Sequence, residues 1–491
     1  MQQRRPVIVG VGQIVNKDDD RIISPLEGIE AAVRAAVEDS GQSALDHVGA
    51  LYLAPPWMQG SDDAATELAE RLGLRPGKRH VSVFSGSSSL ELLGLACAEI
   101  RDGELDAAII AGGVADASVL RARKRGLAPP SRMSADWTWD ASTRKRTAET
   151  SAGLNSAGAN FAMAESRLAF RAGRTPSEQR EWLGTVMAPF TEVAAQWPDR
   201  AWFPISRESG AISGVSNGNR LVAEPYPKLM HSFPNVDQAA AILVMSSELA
   251  DRLRVPDGQR VYPRSIAACQ EPFYPSGRQE LHAPGALAAA ASRALEGAAL
   301  EVGDISRFDL YSCFPAAVQM GAAALGLDVM DPRGLTVTGG LPYFGGPGAA
   351  YVAHSTATMV ELCRADPGSI GAIVGVGGMV SRFAVGSIST DPGDLAFQFD
   401  PCTDVEQHLA NEGVEVDLSA EGVAVVEAMT VLHDREAGPV AAPVFARFGD
   451  GRRTGARLLH PELASDLSNE SLIGREVRIV LEDDGPRYDP R

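Results

Sequence analysis

His80-Val81-Ser82-Val83-Phe84, then Ser85-Gly86-Ser87-Ser88-Ser89, a helical segment over 90–100, and an apolar run over 107–111 closed by Gly112 and Gly113 decide how this chain is read. An apolar run, a turn of small residues, an amphipathic segment and a second apolar run predict strand, turn, helix and strand, a parallel βαβ unit. The first N–H groups of a helix lack internal partners and carry the positive end of its dipole, so the 85–89 turn can seat a nucleophile or an oxyanion. The turn carries no cysteine and is read as having no neighbouring base.

Upstream, a strand over 7–11 enters the turn Gly10-Val11-Gly12-Gln13, followed by a helix over 25–40. This GxG lacks the third glycine and the later acidic residue of a dinucleotide fingerprint, and reads as a tight turn. A strand over 46–53 and a helix over 62–72 lead into the central unit. Downstream, over 115–234, the alternation breaks. Helical pieces over 162–172 and 176–196 lie among loops, with basic clusters at 121–125 and Arg144-Lys145-Arg146. An excursion this long within a regular αβ pattern is expected to be functional. Its basic groups either meet ligand phosphates or form solvated surface.

Regularity returns at Asn235-Val236-Asp237-Gln238-Ala239-Ala240-Ala241, a turn feeding a buried strand. A second half then repeats the pattern. It has a strand over 262–268, a helix over 284–298, a strand over 308–311 leading into Ser312-Cys313-Phe314, and a helix over 316–325. A glycine-rich run, 339–348, starts a helix reaching 362, and a strand over 369–376 enters Gly377-Gly378-Met379. The composition over 391–406 predicts a linker. Strands over 423–430, 440–448, 456–459 and 475–482 predict a small barrel, with the OB fold a candidate. The expected domains are an N-terminal half over 1–255 with a loop domain at about 115–234, a C-terminal half over 256–395, and a β-rich domain over 405–491.

The chain has 491 residues, 45% hydrophobic and 22% charged, enough for cores of good size. A formal net charge of −18 argues against nucleic acid and anionic membrane as partners. Five cysteines without CxxC spacing fit a reducing cytoplasm and no zinc site. The polar 1–5 segment runs straight into a strand, so no signal peptide is expected, and no apolar run is long enough for a membrane span.

These pieces resemble the thiolase superfamily, most closely the type 1 thiolase-like proteins related to sterol-carrier-protein thiolase that carry an added C-terminal domain. The markers are Ala111-Gly112-Gly113, Met163-Ala164-Glu165-Ser166, the 235–241 turn and the glycine motifs near Gly339 and Gly377. The resemblance implies an α/β fold, a duplicated thiolase core in αβαβα layers, an inserted loop domain gripping coenzyme A, and acyl transfer or Claisen chemistry on CoA thioesters. It implies no bound cofactor, with a coenzyme A thioester as substrate or ligand and CoA contacts at Met163 and Ser166. Family members usually dimerise through the core, and the added domain stands to block that surface, so homodimer and monomer are both open.

In the family, a cysteine attacks the thioester, a Gly-His-Pro histidine activates it, and a second cysteine moves the proton. Carried onto this chain, these positions fall on Gly86 (or Ser85 or Ser87), Gly346 and Val374. Glycine forms no acyl-enzyme and an unassisted serine is a weak nucleophile, so classical turnover is expected to be lost. Backbone N–H groups at Gly86, Gly377 and Gly378 are expected to remain as an oxyanion site. Cys313, with the following helix dipole available to lower its pKa, is a candidate nucleophile. Tyr311 and Tyr343 are candidate catalytic phenols, because the resemblance extends to retro-aldolases that use tyrosine. Buried packing is the alternative for all three. His231 and His354 are read as structural. Three functions follow: acyl-CoA binding without classical chemistry, a tyrosine-dependent lyase on hydroxyacyl-CoA, or a non-catalytic scaffold.

Overall fold

The computed structural model describes residues 4–41, 44–56, 63–130 and 147–490. The basic cluster at 144–146 lies outside them. The first half runs β1 (Pro6–Val15), α1 (Pro25–Asp39), β2 (Val48–Ala54), α2 (Ala64–Leu72), β3 (Lys78–Val81), α3 (Ser88–Arg101), β4 (Ala107–Ala115) and α4 (Asp116–Lys124). The excursion holds α5 (Ala148–Ala152), α6 (Ala157–Arg171), α7 (Pro176–Ala195), α8 (Ser209–Ser213), β5 (Leu221–Ala223) and β6 (Tyr226–Pro227). β7 (Asp237–Ser246) and α9 (Ser247–Arg252) close that half.

The second half holds β8 (Tyr262–Gln270), α10 (Gly285–Ala298), β9 (Arg307–Leu310), α11 (Pro315–Ala324), α12 (Tyr351–Ala365), β10 (Ile370–Gly377), β11 (Arg382–Ser389), β12 (Gln398–Asp400) and α13 (Thr403–Asn411). β13 (Gly422–Met429), β14 (Leu432–Asp434), β15 (Gly438–Ala441), β16 (Val444–Phe448), β17 (Arg453–Leu458), β18 (Glu476–Glu482) and β19 (Gly485–Asp489) follow.

Two five-stranded sheets, ordered β1-β7-β4-β2-β3 and β12-β8-β11-β10-β9, enclose α3 and α12. The pleat explains the layering, since successive side chains point to opposite faces. On β4, Ala107, Ile109 and Ala111 pack with Leu26, Ile29 and Leu68 of the outer helices, whereas Ala108 and Ile110 join the inner core around Leu93 and Cys97. Each fully buried Ile or Leu contributes about 1.5–3 kcal/mol, which fixes the register. With α1 and α2 outside one sheet and α10 and α11 outside the other, the result is the αβαβα fold.

Four sequence expectations need correction. β3 ends at Val81, short of Phe84, because it is an edge strand carrying Lys78 and Arg79 toward solvent. β1 runs through the Gly10–Gly12 segment without turning; a Cβ on either glycine would collide with the α1 backbone at Ala36 or Ala32, so these glycines admit the helix. The 391–406 segment is not a bare linker, since β12 joins the second sheet and Phe397 is buried beside it. The 440–448 strand is two strands, interrupted at Pro443, which has no N–H for a ladder.

β13, β16, β17, β19 and β18 close a barrel, while β14 and β15 leave it to pair with β5 and β6 of the excursion. Tyr488 is buried at the barrel's centre and donates to the Ala442 carbonyl at 2.7 Å. Among the described residues no helix is long and apolar enough to cross a membrane.

Candidate functional site

A cavity of about 640 Å³ opens where the two halves and the excursion meet. The turn after β3 supplies Val83, Phe84 and Gly86; α6 supplies Ala157 and Phe161; the segment after β9 supplies Tyr311, Cys313 and Phe314. Gly346, Gly377, Gly378 and Arg382 complete the wall. A smaller chamber of about 190 Å³ continues from it, sharing Ala157, Phe161, Phe273 and Gly378.

Gly86 and Gly346 are both on this wall, and a neighbour occupies the space that each lost side chain would need. A Cβ at Gly86 would overlap the Val376 carbonyl oxygen and the Tyr311 hydroxyl. A Cβ at Gly346 would overlap Ser232 Oγ. Protein interiors are close-packed and backbone gives least, so neither a cysteine at 86 nor a histidine at 346 fits this arrangement. Neither the Gly86 nor the Gly378 amide N–H makes a hydrogen bond to a described residue, so both stay free for an acceptor.

Tyr311 follows β9, with its amide donating to the Val374 carbonyl at 3.1 Å. Its ring packs edge-on against Tyr351, centroids 5.5 Å apart, and its hydroxyl makes no hydrogen bond to a described residue. Burial pushes the phenol well above its usual range, so it is a hydrogen-bond donor and not a base. Cys313 also lines the cavity. Burial, against lowering by nearby backbone N–H groups, drives its thiol well above the ordinary range, which opposes the thiolate form that a nucleophile needs.

Tyr343 is not on the cavity wall. It is 1% exposed, with the Arg207 guanidinium 5.9 Å from its ring centroid. Val374 sits inside β10, paired with Leu310 and Val385, and is likewise off the wall. Met163 and Ser166 face elsewhere too. Met163 packs with Ala428 and Phe445 of the barrel, and Ser166 Oγ accepts from the Met429 N–H at 3.2 Å. The helical period separates them from Ala157 and Phe161: one face of α6 meets the cavity, another the barrel.

Sequence reading missed Glu91. It lies one helical turn beyond Ser87, whose hydroxyl donates to it, while Ser87 Oγ is 2.7 Å from Ser85 Oγ. The turn therefore does have a neighbouring carboxylate, and the spacing of four was legible. Both serines are buried and neither lines the cavity; burial also raises the Glu91 carboxyl's pKa. Ser232 was missed as well, since only tertiary packing brings it to Gly346. His231 and His354 are driven by burial down to about 4 and about 3, so neither is charged near neutrality. No metal-ligating cluster occurs among the described residues.

Behind the cavity, Glu165 accepts from Gln179 Nε2 at 2.5 Å, Tyr226 Oη at 2.7 Å and Gln319 Nε2 at 2.8 Å. The Tyr226 hydroxyl also accepts from the Ala316 N–H at 3.3 Å, at the start of α11. Tyr226 stacks on Phe314, which stacks on Phe161, and this ladder holds the cavity's aromatic wall.

Residues 404–485 match the family model described as the thiolase-like protein type 1 additional C-terminal domain. A monomeric SCP2-thiolase-like protein type 1 from Mycobacterium smegmatis shares 29% identity over 100% of both chains, with a TM-score of 0.84. The chain has the thiolase fold and is similar over its whole length to an SCP2-thiolase-like protein of type 1. Human mitochondrial 3-ketoacyl-CoA thiolase in complex with CoA is 16% identical, covering 79% of this chain and 99% of the other, TM-score 0.59. An Ltp2–ChsH2(DUF35) aldolase is 19% identical, covering 78% and 97%, with the same score. These last two show the shared thiolase fold. No curated protein matches the chain.

Proposed function

We propose that this thiolase-like protein binds acyl-CoA thioesters in the 640 Å³ cavity without forming an acyl-enzyme. The observation that carries this reading is the filling of both reactive positions, Gly86 by Tyr311 and Gly346 by Ser232. Nucleophile and activating base are removed together, and members of a catalytic unit act jointly. The free Gly86 and Gly378 amides and the Tyr311 hydroxyl are suited to a thioester carbonyl oxygen. The cavity's size falls within the range of about 300–1,000 Å³ typical of small-molecule sites. The solved human thiolase complex with CoA supports the ligand class by analogy of fold.

Titration calorimetry with CoA and hexanoyl-CoA tests this reading. Saturable binding is expected; no heat up to millimolar ligand contradicts it and leaves a scaffold as the function. A second reading, retro-aldol cleavage of a hydroxyacyl-CoA, is favoured by one observation: the Tyr311 phenol stands on the wall with no hydrogen-bond partner among the described residues. In that step the β-hydroxyl proton passes to water, the Cα–Cβ bond breaks to release a ketone or aldehyde, and Tyr311 as a donor would stabilise the thioester enolate left on the acyl-CoA before water reprotonates its carbon.

A further inference from the structure

Resting on the acyl-CoA reading, the cavity's charge narrows the ligand class. Its wall is dominated by Val83, Phe84, Phe161, Phe273, Phe314 and Leu341, and a single cation from the described residues stands among them, Arg382 at the start of β11. Arginines elsewhere around the core are engaged: Arg278 donates to four backbone carbonyls, Arg453 to Glu427 and three carbonyls, Arg121 to Asp237. The Arg382 guanidinium makes no hydrogen bond or ion pair with a described residue. Glu91 feels its charge but lies beyond ion-pair distance, and its carboxyl is already engaged by the Ser87 hydroxyl.

A guanidinium offers five donors in a rigid fork that matches a carboxylate or phosphate, and within a largely apolar wall such a pair is little screened. We infer that Arg382 is the seat of an oxyanion carried by the cavity's ligand. Two parts of an acyl-CoA supply one: a carboxylate at the far end of a dicarboxylic acyl chain, or a phosphate of the CoA nucleotide. In both cases the ligand is a thioester whose second anionic group lies against an otherwise apolar pocket.

The test compares wild type, Arg382→Gln and Arg382→Lys by calorimetry with hexanoyl-CoA, adipoyl-CoA and CoA, using melting temperature to confirm folding. The first two ligands differ only by a terminal carboxylate. A carboxylate seat predicts that wild type prefers adipoyl-CoA, that Arg382→Gln weakens it about tenfold or more while sparing hexanoyl-CoA, and that Arg382→Lys restores part of the loss. A phosphate seat predicts an equal loss for all three ligands. If wild type binds all three and Arg382→Gln binds them as tightly, the oxyanion seat is overturned while the acyl-CoA reading stands. If wild type binds none, the acyl-CoA reading itself has failed and the inference falls with it.

Discussion

Two polar groups flank the aromatic ladder at Phe314, and they are finished very differently. Behind it, Glu165 is fully buried and accepts from three side chains, and Tyr226 passes the network on to the N-terminus of α11. In front of it, the Tyr311 hydroxyl and the Arg382 guanidinium stand on the cavity wall with no hydrogen-bond partner among the described residues. Buried polar groups are normally satisfied, so the first arrangement is architecture and the second is a surface left for a ligand. A third feature joins them: the seats at Gly86 and Gly346 are closed by Tyr311 and Ser232, so the open donors serve a cavity that cannot start covalent chemistry there.

The largest effect is expected behind the ladder. Glu165→Ala leaves the Gln179 and Tyr226 donors without an acceptor and Gln319 Nε2 with the Pro315 carbonyl alone; at roughly 1–3 kcal/mol for each stranded donor, it should lower unfolding free energy by about 2 kcal/mol or more in denaturant titrations. A loss below about 1 kcal/mol would mean that the network is not the architectural element described.

The closed seats come next. Gly346→Ala should cost about 1–3 kcal/mol through overlap with Ser232 Oγ, and Ser232→Ala should return most of it. Purely additive costs in that double-mutant cycle would separate Ser232 from the empty histidine position.

The smallest effect on the fold lies in front. Tyr311→Phe breaks no internal hydrogen bond, so stability should change little, while affinity for an acyl-CoA falls by about 3- to 10-fold, the worth of one hydrogen bond. Unchanged binding would detach the phenol from the ligand. With a hydroxyacyl-CoA, unchanged release of ketone or aldehyde by this variant would remove the lyase reading.

Much of the fold was legible because apolar periodicity reports burial directly. Runs such as 107–111 and 239–245 are strands covered on both faces, and Ser24 and Thr175, each followed three residues later by Glu, cap α1 and α7 as their spacing implies. The closed barrel also follows from short strands and turns. What was not legible depends on contacts distant in sequence. Met163 and Ser166 turn toward a barrel more than two hundred residues away, and no local pattern says so. Tyr343, adjacent in sequence to cavity-forming glycines, is packed off the wall, since a glycine-rich run does not fix side-chain direction. β11 follows a tight hairpin after Gly377, which hid Arg382. The loss of the reactive groups was visible in the sequence; that the vacated space is filled by Tyr311 and Ser232 required the fold.

The central claim is that thioester binding survives where acyl-enzyme formation does not. Intact-mass spectrometry of the protein held with excess acetyl-CoA tests it most directly. The account predicts an unchanged protein mass under conditions where calorimetry detects bound thioester; a stoichiometric gain of one acetyl group on any residue would contradict it.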